Sequence, residues 1–155
     1  MKGSAKVIAR LNARLAEELT AISQYMLHAE MCDNWGYKKL HDAIEKRAKD
    51  EMRHAEMLIG RILFLEGKPI VSKLVAMKIG ATVEAQLKND WDAEDGAVKA
   101  YNADVVFCLE AEDNGTREIL DAILKDEEAH IDWIETQTDQ IAQMGAQTYL
   151  GRQIE

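Results

Sequence analysis

The stretch 126-DEEAHIDW-133 decides the fold, because it places Glu127 and His130 on the same side of a predicted helix as Leu120 and Ile123. Residues three and four positions apart share one face of a helix, so both ionisable side chains should point into the core. A buried carboxylate is strongly disfavoured unless it is paired, protonated or bound to a metal ion. The stretch therefore predicts a core helix that carries chemistry.

The same pattern occurs twice in the chain. A shift of 76 positions relates two sets of residues, Glu18, Glu51 and His54 in the first and Glu94, Glu127 and His130 in the second. The shift also relates two further pairs, Asp50 with Asp126 and Tyr25 with Tyr101. A constant offset of this kind indicates two similar helical hairpins that face each other about a pseudo-twofold axis. Each hairpin should supply half of one site.

Apolar residues at steps of three and four predict four long helices. Their core faces run from Ile8 to Ala29, from Leu40 to Leu65, from Val83 to Val105 and from Leu120 to Ile141. The first helix should end at Asn34-Trp35-Gly36, where a glycine can adopt the left-handed conformation. With one proline and nine glycines in 155 residues, the composition is also that of an all-α protein.

The connections define how the helices are arranged. The segment from Glu66 to Thr82 is too long for a tight turn and suits a crossover along a bundle, whereas Asn114-Gly115 predicts a short break between antiparallel helices. After Met144-Gly145, the segment from Ala146 to Ile154 predicts a short fifth helix. We expect one domain over residues 1–155, a four-helix bundle with a long crossover between its second and third helices.

The six inward-facing residues form a plausible metal-binding set. A Glu-x-x-His motif presents one oxygen and one nitrogen ligand on a single helical face, and two such motifs with two single glutamates give four carboxylates and two imidazoles. Four negative charges balance two divalent ions, and this donor set suits iron or manganese better than tetrahedral zinc. A purely structural polar core is the alternative interpretation.

Charge and cysteine content restrict the partners. A net charge of -9 disfavours nucleic acid and favours cationic cargo. Cys32 and Cys108 form no Cys-x-x-Cys pair, so we expect them to pack as small apolar groups in a reducing cytoplasm. We expect no secretory signal, since Arg10 and Arg14 interrupt the N-terminal segment, and no membrane span, since no apolar run is long enough.

Several motifs resemble those of the bacterioferritins over essentially the whole chain. They are Met1-Lys2-Gly3, Lys6-Val7-Ile8, Glu51-Met52-Arg53-His54-Ala55, Arg61-Ile62-Leu63-Phe64-Leu65-Glu66-Gly67 and Asp126 to Trp133. The resemblance implies a ferritin-like fold, a hollow cage of 24 identical subunits and a ferroxidase centre in each bundle. It also implies a ferric mineral inside the cage, haem b shared by each pair of subunits, and a ferredoxin-type electron donor for iron release.

The same resemblance assigns roles to individual residues. It makes the six residues ligands of two iron ions, which dioxygen or hydrogen peroxide would oxidise, and it makes Met52 the haem ligand. In this chain Lys46 replaces a histidine that some members use in an inner-surface iron site, so that site is in doubt. Since Met52 is one helical step from Glu51, we expect it to face outward. We also expect Asp126 and Asp50 to orient His54 and His130, respectively.

Two other functions fit part of this pattern. One is a di-iron or di-manganese peroxidase or oxygenase that acts on a separate substrate, although the chain lacks the rubredoxin-like cysteine pairs of such a peroxidase. The other is a shell of the kind formed by the small DNA-protecting ferritin relatives, although the chain lacks a basic tail and its ligands are predicted within one bundle.

Overall fold

The computed structural model describes residues 1–155 and contains five helices and no strand. The helices are α1 (Ala5–Asn34), α2 (Lys38–Phe64), α3 (Val83–Glu110), α4 (Asn114–Met144) and α5 (Ala146–Gly151). α1 packs mainly on α2, and α3 packs mainly on α4. The predicted all-α class and the four-helix bundle with a short fifth helix are therefore confirmed. None of the helices combines the length and the apolar character that crossing a bilayer requires.

The apolar core is divided into two clusters along the bundle. One cluster surrounds the N-terminal half of α1 and includes Leu11, Leu15, Leu58, Ile62 and Ile123. The other surrounds its C-terminal half and includes Tyr25, Cys32, Leu40, Ile44 and Ile134. Full burial of one such aliphatic side chain contributes about 1.5–3 kcal/mol. The two clusters therefore pack on either side of the middle of the bundle, which is where the ionisable residues of each helix lie.

The crossover between α2 and α3 runs parallel to α1 and is held by polar side chains of that helix. Four backbone N–H groups of the crossover donate to side chains of α1. The donor and acceptor pairs are Ile70 and Asn12 (2.8 Å), Val75 and Thr20 (2.9 Å), Lys78 and Gln24 (3.1 Å), and Gly80 and His28 (2.9 Å). These acceptors lie four or eight residues apart and thus form one stripe on α1. The predicted crossover is confirmed, and its main chain is anchored along the length of α1.

The end of α1 agrees with the sequence, but the start of α4 does not. Gly36 has a φ of 83° and closes α1 in the left-handed conformation. Asn114 and Gly115 were expected to form the break before α4, yet they are its first two residues. The break lies at 111–113 instead, because Asp113 caps α4 by accepting from the backbone N–H of Thr116 at 3.0 Å.

Gly115 leaves room for a close approach and does not form a turn. A Cβ atom at this position would lie 2.8 Å from Nη2 of Arg61. That guanidinium donates to Asp113 (2.8 Å) and to Thr116 (2.9 Å), which ties α2 to the start of α4. A residue without a side chain lets Arg61 lie across the first turn of the helix.

The fifth helix is shorter than the predicted segment of 146–154 but docks as expected. Tyr149 is buried in the second apolar cluster, and its hydroxyl donates to Oε1 of Gln137 on α4 at 2.8 Å. A six-residue helix is unstable alone, so this contact and the burial of Tyr149 hold it in place.

Gly80→Ala tests the packing at the end of the crossover. A Cβ atom there would lie 2.3 Å from the backbone nitrogen of Gln86, and a backbone atom cannot move aside as a side chain can. We expect a loss of about 2 kcal/mol or more in stability, measured as a lower midpoint of thermal unfolding. Gly60→Ala is the control, since nothing lies within 4 Å of that position, and it should be neutral or slightly stabilising. Equal midpoints for the two variants would contradict this account.

Candidate metal centre

Six side chains from four helices meet in the middle of the bundle. Their possible ligand atoms form two groups, each within 4.8 Å across: Glu18, Glu51, His54 and Glu127 in one, and Glu51, Glu94, Glu127 and His130 in the other. Glu51 and Glu127 belong to both groups. All six are buried, and the most accessible of them, His130, is only 7% exposed. The structure thus brings together every residue that the sequence predicts for the site.

Both histidines turn Nδ1 toward the glutamate carboxylates of the cluster and Nε2 away from those glutamates. Nδ1 of His54 lies 2.8 Å from Glu51 Oε2 and 3.2 Å from Glu127 Oε1. Nδ1 of His130 lies 3.0 Å from Glu51 Oε1 and 3.2 Å from Glu127 Oε2. Each imidazole therefore presents one nitrogen to the shared carboxylates.

The outer nitrogens confirm the expected cross-pairing with the two aspartates. Nε2 of His54 lies 3.0 Å from Asp126 Oδ2, and Nε2 of His130 lies 3.4 Å from Asp50 Oδ2. An aspartate in this place keeps the proton of a neutral imidazole on Nε2 and leaves Nδ1 free to bind a metal ion. Each aspartate comes from the hairpin opposite its histidine, so the pairing also joins the two halves of the bundle.

Two buried tyrosines orient the outer glutamates, a role that was not predicted from the sequence. The hydroxyl of Tyr25 donates to Glu94 Oε1 at 2.7 Å, and the hydroxyl of Tyr101 donates to Glu18 Oε1. Again each contact crosses from one hairpin to the other. The signal was present in the sequence, because Tyr25 and Tyr101 obey the shift of 76 positions that relates the ligands.

Burial and mutual contact change the proton affinities of the cluster. Burial raises the pKa of Glu18 to about 8 and raises the pKa of Glu127 well above its usual range. Burial acts in the same direction on Glu51, but the hydrogen bonds of His130 and His54 outweigh it and hold the pKa of Glu51 well below its usual range.

The imidazoles respond in the opposite sense. Burial lowers their proton affinity, but the surrounding carboxylates, with Glu127 foremost, outweigh it and raise the pKa of His130 to about 12 and that of His54 well above its usual range. Without a metal ion, protons must therefore balance the carboxylates. Two divalent cations could take over that balance.

A buried ion-pair network lies beside Glu94. Asp90 accepts from Arg47 Nη2 (2.7 Å) and Gln24 Nε2 (2.9 Å), and it contacts His28 Nδ1 (2.8 Å). This network was not predicted from the sequence. The shift of 76 positions was a partial signal of the contact between Asp90 and His28. It relates Arg14 to Asp90 and His28 to Asp104, and Arg14 also contacts Asp104, so the acidic and basic partners are exchanged between the two pairs.

A cavity of about 260 Å³ reaches the cluster between α1, α3 and the crossover. Val75 and Ala76 of the crossover line it, together with the small residues Ala21 and Gly96 and the four glutamates of the cluster. This volume admits several water molecules or a small oxidant.

Two other residues singled out in the sequence lie outside the cluster. Met52 is 49% exposed and points away from the ligands, as expected for its position on α2. Lys46 is exposed and donates to Asp50 Oδ2 at 2.8 Å, so a cation that cannot bind a metal ion lies beside that aspartate.

Comparison with known proteins gives a consistent result. A family model described as the ferritin-like domain matches residues 8–144. A bacterioferritin of Mycolicibacterium paratuberculosis is 38% identical over 149 residues, which cover 96% of this chain and 94% of that protein. Bacterioferritins of Rhodobacter capsulatus and Brucella melitensis are 40% and 39% identical, and in each case the match covers 96% of this chain and 92% of the other.

Metal binding at this cluster should release protons. Because the raised pKa values of His54 and His130 keep both imidazoles protonated near neutral pH, a divalent ion must displace those protons. We expect at least one proton for each Co²⁺ ion bound anaerobically, measured with a pH indicator in weak buffer, and weaker binding as the pH falls. His54→Ala should release fewer protons. Binding that is independent of pH would contradict the arrangement described above.

Proposed function

The chain belongs to the bacterioferritins, and from this membership we propose that it is a ferroxidase that oxidises Fe²⁺ to Fe³⁺ and stores the product as a ferric mineral. Family membership itself supports a role in iron storage. The observation that carries the ferroxidase proposal is the pair of overlapping ligand groups that share Glu51 and Glu127. Such sharing holds two ions side by side, as oxidation by a two-electron acceptor requires.

The donor set of the cluster fits ferrous iron. Each position offers one imidazole nitrogen, one carboxylate of its own and two shared carboxylates, all of them buried. Hard oxygen donors with a single imidazole suit iron or manganese, whereas structural zinc prefers four tetrahedral ligands rich in sulfur and nitrogen. The formal charge of four carboxylates also equals that of two divalent ions.

In the proposed reaction Fe²⁺ is the substrate and supplies the redox chemistry. Two ferrous ions give up two electrons, which with two protons reduce hydrogen peroxide to two water molecules or dioxygen to hydrogen peroxide. The protein needs no nucleophile for this. Glu51 and Glu127 bridge the two positions, Glu18 and Glu94 act as outer carboxylates, and His54 and His130 supply one nitrogen each.

The surrounding residues keep these ligands in place. Tyr25 and Tyr101 hold the outer glutamates, and Asp126 and Asp50 hold the histidines. Because each contact joins one hairpin to the other, the site is positioned by the packing of the whole bundle. The cavity under Val75 is the proposed path for a small oxidant.

We place this centre in a cage of 24 identical subunits that carries haem b. Met52 fits a haem ligand, because a thioether is a soft donor and this one is exposed on α2. Exposed Met26 and partly buried Leu19 and Ile22 on α1 offer an apolar strip that could cover the porphyrin. A twofold axis would pair two copies of Met52 and give one haem for each pair of subunits.

The remaining parts of the proposal concern the setting in which the protein works. Residues 1–155 would form one ferritin-like domain, and a ferredoxin-type protein would supply electrons for iron release. The free, buried thiols of Cys32 and Cys108 are compatible with a cytoplasmic location. The acidic net charge of -9 favours iron over nucleic acid as cargo.

Removing one ligand tests the ferroxidase proposal. Glu94→Ala or Glu127→Ala should lower the rate of aerobic Fe²⁺ oxidation by at least about tenfold, followed as ultraviolet absorbance, because each substitution removes a carboxylate from the cluster. The shell should still assemble, since the ligands lie within one bundle. Glu128→Ala, which changes the exposed neighbour of Glu127, is the matched control. Oxidation at the parental rate in either ligand variant would falsify the assignment.

The haem assignment has its own test. Met52→Leu keeps the volume of the side chain and removes the sulfur, so haem reconstitution should give a changed visible spectrum and less haem per pair of subunits. Met57→Leu is the control, because Met57 is partly buried in the first apolar cluster. If Met52→Leu retained the parental spectrum and haem content, Met52 would not be the ligand.

A further inference from the structure

Among the differences between the two pseudo-equivalent halves of the centre is a buried cation on α2. Adding 76 to position 47 gives 123, so Arg47 on α2 corresponds to Ile123 on α4. Both side chains are buried in the core, Arg47 at 4% exposure and Ile123 at 0%. One half of the centre therefore has a permanent cation where the other half has a hydrocarbon.

The guanidinium of Arg47 is fixed from three sides. Nη2 donates to Asp90 at 2.7 Å, and the group lies 4.5 Å from the ring centroid of Tyr25 and 5.2 Å from that of Trp133. A buried arginine held in this way cannot swing out to solvent, and it cannot lose its proton. Its charge is a constant feature of this half of the bundle.

The same guanidinium reaches the ligand Glu94 but makes no hydrogen bond with it. Nη1 of Arg47 lies 3.5 Å from Glu94 Oε1 and has no hydrogen-bond partner. A small rotation of the carboxylate would complete that bond. Arg47 is thus placed to compete with a metal ion for the oxygen that also accepts from Tyr25.

The opposite half has no such competitor. Glu18 accepts from Tyr101 and lies near His54, which are the counterparts of the contacts that Glu94 makes with Tyr25 and His130. The cation on α1 nearest in sequence, Arg14, forms ion pairs with Glu17 at 3.0 Å and Asp104 at 3.4 Å and forms none with Glu18.

We propose that Arg47 lowers the affinity of the Glu94–His130 position for a divalent cation and so makes the two positions of the centre unequal. This inference rests on the proposed function, in which both positions bind iron. A fixed positive charge repels a nearby dication, and competition for Glu94 adds to that cost. The pairing of Arg47 with Asp90 offsets much of the repulsion, so we expect an effect on the order of tenfold in the dissociation constant. Arg47 acts through Glu94 and is a positioning residue.

The two positions can be measured separately with Co²⁺ under anaerobic conditions. Glu94→Ala leaves the Glu18–His54 position intact, and Glu18→Ala leaves the Glu94–His130 position intact. Arg47→Met is then introduced into each background, and Co²⁺ binding is followed by calorimetry and by visible absorbance at one fixed pH, so that every variant is compared under the same competition from protons. Arg14→Met is the matched control, because it removes a partly buried arginine that forms no ion pair with the cluster.

We expect Arg47→Met to tighten Co²⁺ binding roughly tenfold in the Glu18→Ala background and to leave it unchanged in the Glu94→Ala background. Arg47→Lys, which keeps the charge, should restore weak binding, and Arg14→Met should change neither position. If Arg47→Met does not fold, as judged by circular dichroism, the double variant Arg47→Met and Asp90→Asn removes the charge pair together. It should still tighten Co²⁺ binding only in the Glu18→Ala background, because Nη1 no longer competes for Glu94. The effect should be smaller than that of Arg47→Met alone, since the loss of the Asp90 charge cancels the relief of repulsion.

Two results would overturn the inference in different ways. An equal effect of Arg47→Met in both backgrounds, or no effect in either, would show that Arg47 does not distinguish the positions, while the proposed function would stand. Failure of the parent chain itself to bind Co²⁺ would refute the proposed function and this inference with it.

Discussion

The structure depends on one electrostatic constraint, which is that four glutamates are buried side by side in the middle of a helical core. Carboxylates in such a place must be protonated, paired or bound to cations. The chain meets the constraint with two imidazoles aimed inward, two tyrosine hydroxyls and two aspartates that hold the imidazoles from outside. These contacts cross from one hairpin to the other, so the same groups that define the site also join the halves of the bundle.

Packing around the centre offsets the free-energy cost of burying the four glutamates. Two apolar clusters lie on either side of the ionisable layer and contribute the favourable burial that offsets its cost. Beside the layer, Asp90 gathers Arg47, His28 and Gln24 into a network with no exposed member. His28 also accepts from the crossover at Gly80, so the loop, the network and Glu94 form one connected set. The environment of the centre thus extends from the ligands to the outer surface of α1.

The sequence was informative wherever a residue broke a periodic pattern. The helices and the six clustered residues followed from apolar spacing and from the shift of 76, because helical period reports directly on which side chains are buried. The sequence-based prediction was wrong at Asn114-Gly115. The dipeptide favours a turn, but the carboxylate of Asp113 caps α4, so the helix begins at Asn114. The role of Arg47 could not be predicted, since its partner Asp90 lies 43 residues away and charged residues off the apolar stripe usually face solvent.

The crossover is attached to α1 through its main chain and not through its side chains. The docking hydrogen bonds use backbone N–H groups of the crossover, whereas the acceptors are side chains of α1. Crossover side chains such as Val71 and Leu74 remain exposed and take no part in holding the loop. Within one subunit their identities can therefore change without detaching the segment from α1, provided that its length is kept. A one-residue insertion or deletion would instead put the amide donors out of phase with α1, so this part of the chain should vary in composition and not in length.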